Sequence, residues 1–240
     1  MKQTPGKIYL ADQRGQLSTH QFQRYSTFNF GTFYQEHKTP LGDLCVVNEE
    51  LVARGHHVDL PVDHSAYVLI IPLTGAVRVG TLLNSDVMVE AGEVLVISAA
   101  ANSTIEVQNL FPADTIQFLH LQIQAQEPLL APSVQRIAFN LNEFNNPLVK
   151  IISANKAEAT YPFSLNLGRF AGRQEVIYLL PDQMSLFFAF VIAGAFEVEG
   201  RLLHEKDGLA LWNTTEVELE ALSNNALLLV LELDSRKLHS

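Results

Sequence analysis

His56, His57, Asp59, Asp63 and His64 crowd one short stretch of the chain. Imidazole nitrogens together with carboxylate oxygens are a donor set suited to iron, manganese or nickel. Spacing limits which of them can act together. Side chains alternate faces along a strand, so Asp63 and His64 cannot both point inward from one regular strand. His57, Asp59, Pro61 and Asp63 share a parity, and His57 with Asp59 and Asp63 is the one credible ligand set in the stretch. The simpler reading is a solvated rim of polar residues at a barrel mouth, and the sequence favours it. Further along the chain only Glu106 could complete such a set, and alternation about Ile105 and Val107 points it the other way.

Other chemistries leave no trace. There is no Gly-x-Ser-x-Gly elbow, no phosphate-binding glycine loop and no Cys-x-x-Cys pair. Cys45 is the single cysteine and reads as a reduced thiol packed as a small hydrophobe. His204 stands alone in a polar turn and reads as a surface residue. Glu216, Glu218 and Glu220 alternate with Val217, Leu219 and Ala221, the pattern of a solvated sheet face. The formal net charge is −10 with no cluster of Lys and Arg, which disfavours nucleic acid and anionic membrane surfaces as partners. No apolar run reaches the length of a membrane helix, and residues 1–6 lack the pattern of a secretion signal, so the expected compartment is the cytoplasm.

The elements that must position these groups are short strands. Tyr67-Val68-Leu69-Ile70-Ile71 is a β-branched and aromatic run of buried-strand length, turned at Thr74-Gly75 and resumed at Ala76-Val77-Arg78-Val79. Leu119, Leu121 and Ile123 alternate with His120, Gln122 and Gln124. A second series follows Asn145-Asn146-Pro147, and residues 192–200 around Gly194 parallel residues 73–80 around Gly75. Each hairpin leads to another glycine turn, Gly92 or Gly208, and then to an apolar strand. A duplicated small β-barrel is the best account of this similarity. The expected organisation is an N-terminal domain over 1–125, a linker over 126–147 and a C-terminal domain over 148–240. The strand at residues 7–10 is a candidate to pack with the opposite domain.

Particular segments carry a family resemblance. Thr27-Phe28-Asn29-Phe30-Gly31 resembles a motif near the start of pirins, and residues 42–50, ending Asn48-Glu49-Glu50, resemble their early strand. Asp207-Gly208-Leu209-Ala210-Leu211-Trp212 resembles the turn and strand of the C-terminal cupin in bacterial quercetinase-like pirins. The matches run from about Lys7 to Leu233. The resemblance implies an all-β bicupin of two antiparallel jelly-roll barrels packed face to face.

It also implies a metal in the N-terminal cupin, held by a His-Pro-His and a His-Ser-Glu motif. Gapless alignment puts Pro61 and Asp63 at the paired histidines, and Ile105 and Val107 at the later His and Glu. Carbon side chains offer no lone pair, so the expectation is a lost metal site, no cofactor and no catalytic residue. Pro61, Asp63, Tyr67, Ile105 and Val107 would then line an apolar pocket with one carboxylate at its side. The expected function is a non-catalytic pirin-like bicupin that binds a small molecule or a protein partner, the acidic surface suiting a basic one. The competing reading is a quercetinase-like dioxygenase with a rebuilt metal site.

Overall fold

The structure, a computed structural model, describes residues 4–80, 86–129, 133–140, 148–154 and 161–234. Asn145, Asn146 and Pro147, expected to open the second strand series, lie outside the described residues. Among the described residues the only helical element is the 3₁₀ turn Ala11–Gln13, and everything else regular is antiparallel strand. Contacts divide the chain into two units, Arg14–Phe139 and Met1–Gln13 with Asn140–Ser240.

The Arg14–Phe139 unit pairs a larger sheet with a smaller one. In spatial order, the seven-stranded sheet runs β12 (Ser133–Ala138), β9 (Glu93–Ala99), β6 (Ala66–Pro72), β11 (Ile116–Gln124), β4 (Leu44–Val52), β3 (Phe22–Ser26) and β2 (Gly15–Ser18). The four-stranded sheet runs β5 (His57–Val62), β10 (Ser103–Gln108), β7 (Ala76–Gly80) and β8 (Asp86–Glu90). Between them lies one core, to which the large sheet contributes Val52, Val68, Ile70, Leu95, Ile97 and Phe118. The small sheet contributes Val58, Leu60, Val62, Ile105 and Val107. Strict alternation in β5, exposed at His57, Asp59 and Pro61 and buried at Val58, Leu60 and Val62, fixes which side faces that core.

The second unit repeats the plan. Its six-stranded sheet runs β1 (Gly6–Tyr9), β19 (Gly208–Leu211), β16 (Ser185–Ala193), β21 (Ala226–Asp234), β14 (Phe163–Phe170) and β13 (Leu148–Ile152). The four-stranded sheet runs β15 (Glu175–Leu179), β20 (Glu216–Ala221), β17 (Phe196–Val198) and β18 (Arg201–Leu203). The all-β, duplicated jelly-roll expectation therefore holds, with each unit an open pair of sheets rather than a closed barrel. Gly75 and Gly194 do occupy matching turns at φ +64° and +81°, and a Cβ on Gly194 would meet Ser223 Oγ at 2.3 Å.

The boundaries are less simple than the composition suggests. Within the stretch expected to be a linker, Ser133–Ala138 forms β12 and pairs with β9 from Ser133↔Ser98 to Ala138↔Glu93. It lies at a sheet edge with four of its six residues exposed, while Val134 packs against the core and Ser133 Oγ bonds Ser98 Oγ at 2.8 Å. At the other end, β1 pairs with β19 from Gly6↔Leu211 to Tyr9↔Gly208, so the first strand does belong with the C-terminal jelly roll.

Candidate functional site

Strand parity separates the residues that the aligned motifs would bring together. Ile105 and Val107 are fully buried and face the core, directly opposite Leu60 and Val58 on β5. Pro61 and Asp63 are exposed, Pro61 on the outer side of the same strand and Asp63 in the turn after it. Tyr67, half-buried, alternates with Ala66 and Val68 and so lies on the far face of the large sheet from this core. The expected pocket of Pro61, Asp63, Tyr67, Ile105 and Val107 is therefore not a pocket. The cause is a one-residue offset: with a side-chain period of two, it exchanges inside for outside. The inward residues are Leu60 and Val62, and they too are hydrocarbon.

The outer face of β5 does assemble a ligand group, but a different one from that expected. His57, Asp59 and Glu106 bring potential ligand atoms within 4.8 Å of one another, all three exposed, and Asp63 is not among them. Asp59 stands directly opposite Glu106 in the β5–β10 ladder. Alternation does point Glu106 away from Ile105 and Val107, yet it points His57 and Asp59 the same way. Glu106 also lies 3.8 Å from Arg78, which competes for its charge.

A denser polar cluster sits inside the jelly roll. Arg24 on β3, Asn48 and Glu50 on β4, and His120 and Gln122 on β11 share the face that carries Val52, Ile116 and Phe118. Arg24 Nε donates to Glu50 Oε1 at 2.6 Å, both side chains being buried. Arg24 Nη2 donates to the carbonyl of Asp59 at 3.3 Å, and Gln122 Nε2 donates to that of Pro61 at 2.8 Å. These carbonyls lie on β5, an edge strand, so side chains from the large sheet satisfy backbone groups that the ladder leaves open.

The same network sets the state of His120. Gln122 Nε2, fixed as a donor by Pro61, lies 3.0 Å from His120 Nε2, which must accept. The neutral ring therefore carries its proton on Nδ1, 3.5 Å from Glu50 Oε1. Burial holds the imidazole below its ordinary pKa; Glu50 opposes that shift and Arg24 adds to it. Phe30 lies edge-on to His120 at 5.8 Å, with the Arg24 guanidinium 4.7 Å from its centroid.

The C-terminal jelly roll places polar side chains on the equivalent strands. Lys150 on β13 stands opposite Asn166 on β14, as Arg24 does opposite Glu50. Ser164 stands opposite Glu232 on β21, as Asn48 does opposite His120. Asn166 Nδ2 donates to the Tyr178 hydroxyl at 3.0 Å, which donates to Glu232 Oε2 at 3.1 Å. Burial raises the pKa of both Tyr178 and Glu232. Unlike its N-terminal counterpart, this chain of donors and acceptors is closed.

Comparison with known proteins supports the architecture. Residues 162–233 match the family described as the quercetinase C-terminal cupin domain. A quercetin 2,3-dioxygenase of Escherichia coli strain K12 is 22% identical over 232 residues, covering 92% of this chain and 97% of that one. The bacterial pirin YhhW of Escherichia coli, solved in complex with nickel(II), superposes with a TM-score of 0.83 at 16% identity, covering 96% of this chain and 99% of its own. The chain has a bicupin fold like that of this bacterial pirin. A quercetin 2,3-dioxygenase from Acinetobacter baumannii shares this bicupin fold at a TM-score of 0.73 and 17% identity, over 98% of this chain and 88% of that one. Among the described residues, no helix is long and apolar enough to cross a membrane.

The metal that the resemblance implies does not fit this chain at the aligned positions. Ile105 and Val107 point inward but have no lone pair; Asp63 has a carboxylate but points out.

Proposed function

We propose that this bicupin acts by binding a small molecule in its N-terminal jelly roll, not by metal-dependent oxygenation. The observation that supports this reading is the interior wall of β5 and β10. Val58, Leu60, Val62, Ile105 and Val107 are all at most 1% exposed, so the side chains nearest the aligned ligand positions are aliphatic. A first-row transition metal needs nitrogen, oxygen or sulfur donors, and this wall supplies none. The test is elemental analysis of the chain after treatment with a chelator, together with oxygen uptake in the presence of quercetin. The expected result is no stoichiometric metal and no quercetin-dependent uptake. About one iron, manganese or nickel ion retained per chain, with uptake, overturns the proposal.

One observation favours a second reading, metal binding by His57, Asp59 and Glu106 on the outer face. If that group holds the ion, His57→Ala releases it while leaving the buried interior unchanged.

A further inference from the structure

The outer face of the small C-terminal sheet is charged in a way that the fold does not require. Every second side chain of β15 and β20 points out, Glu175, Ile177 and Leu179 on the first and Glu216, Glu218 and Glu220 on the second. Glu175 stands directly opposite Glu220, and Glu220 opposite Glu197 on β17, so three carboxylates form a row across three strands. Like charges in this register destabilise a sheet. Arg173 relieves one of them, 2.7 Å from Glu220, but among the described residues no ion pair engages Glu175, Glu197, Glu216 or Glu218. The corresponding face of the first jelly roll is mixed in sign, with Arg78 3.2 Å from Asp86 and 3.8 Å from Glu106.

The strand that borders this face is an open edge. Leu180 N–H donates to the Thr215 carbonyl and Ala221 N–H to that of Gln174, so the even-numbered residues of β15 bond to β20. By alternation Glu175, Ile177 and Leu179 turn their own N–H and C=O groups the other way, where no strand lies among the described residues. Edge strands are commonly blunted by lysine, proline or a bulge, and β15 has none of these. It carries Ile177, 58% exposed, and Leu179, 69% exposed. One strand further in, Ile177 faces Glu218 and Leu179 faces Glu216. Ile177 and Glu218 also line an open groove of about 220 Å³, together with Glu175 and Glu220. From the edge inward the order is open backbone, aliphatic side chain, carboxylate. A lysine or arginine on an added strand presents the matching order of backbone, methylene stem and charged head.

We propose that β15 and the acidic face behind it dock an extended basic segment of a partner protein, with Lys or Arg at alternate positions. The segment pairs with the β15 backbone, its stems cover Ile177 and Leu179, and its cations meet Glu216 and Glu218. A second copy of this chain is the poorer occupant, because pairing β15 with β15 brings two acidic faces side by side.

The probe is a capped heptapeptide alternating lysine with threonine, read by fluorescence anisotropy against the full-length chain at low ionic strength. Its control is the same peptide methylated on the backbone nitrogen of each lysine, equal in charge but unable to donate to β15. Saturable binding in the micromolar range is expected, weakened about tenfold by the backbone methylation. Glu216→Gln combined with Glu218→Gln, both exposed positions, should weaken it about tenfold as well, and added salt should do the same progressively. No saturable binding, equal binding of the methylated peptide, or undiminished affinity in the double variant overturns the proposal. Self-association of the parent chain in sedimentation, abolished by Ile177→Lys, would also overturn it and assign the edge to a second copy.

Discussion

His120 Nδ1 and Glu50 Oε1 stand 3.5 Å apart across neighbouring strands, both side chains closed off from solvent. Glu50 also holds Arg24, so one carboxylate serves a permanent cation and a titratable ring.

Removing the carboxylate alone should be severe. Glu50→Ala leaves the buried Arg24 guanidinium without its counter-charge, and about 3–5 kcal/mol of stability should be lost. Replacing both partners with Leu should recover most of that loss, because no unpaired charge remains. Urea-denaturation midpoints of the single and double variants check both outcomes. A single variant as stable as the parent chain would contradict the pairing.

Stability should fall in mild acid. The folded-state pKa of His120 is depressed, so the unfolded chain binds its proton more readily than the folded one. For a group shifted in this direction, stability is full above the unfolded value of 6.5 and is lost as pH falls through the folded value. Chemical denaturation between about pH 7.5 and about pH 5 should show a decline that His120→Gln reduces. An identical pH slope in the variant would exclude His120 as its source.

Parity also predicts how a metal centre could be rebuilt. Histidine in place of Leu60, Val62 and Ile105, with glutamate in place of Val107, puts all four donors on one interior face. Moving the first two histidines to positions 61 and 63 places them outside. Only the first variant should retain about one nickel ion per chain after desalting, and it should be less stable than the parent when stripped of metal.

Asp63 should be nearly silent. It is exposed in the turn after β5, so Asp63→Leu should change stability by no more than about 0.5 kcal/mol. A thermal melt decides this: marked stabilisation would mean that the carboxylate is buried after all.

Much of the fold was legible in the sequence because hydrophobic alternation and paired glycine turns are local signals. The parallel between Gly75 and Gly194 survives as matching positive-φ corners. The edge strand β12 was not legible, since a mostly exposed edge strand carries only a weak apolar pattern. The site was harder for two physical reasons. Parity cannot be read from an alignment without knowing where the strand begins, and an offset of one residue reversed Pro61 with Leu60 and Asp63 with Val62. His120 and Gln122 alternate with Leu119, Leu121 and Ile123, which suggests one wet face, yet β11 is central and covered on both sides. The segment ending Asn48-Glu49-Glu50 carries a family resemblance, while its chemistry depends on β3 and β11, strands distant in sequence.

The pairing of β1 with β19 has a consequence for synthesis. Gly6–Tyr9 is made long before Gly208–Leu211, and its hydrogen-bonding partner does not exist until that distant segment has been translated. The Arg14–Phe139 unit can complete its core in the meantime, because none of its strands waits for a later partner. The last jelly roll then closes on a strand that has been kept in reserve. Trimming the chain before residue 10 would leave β19 as a bare edge beside β16, open to a β1 borrowed from another copy.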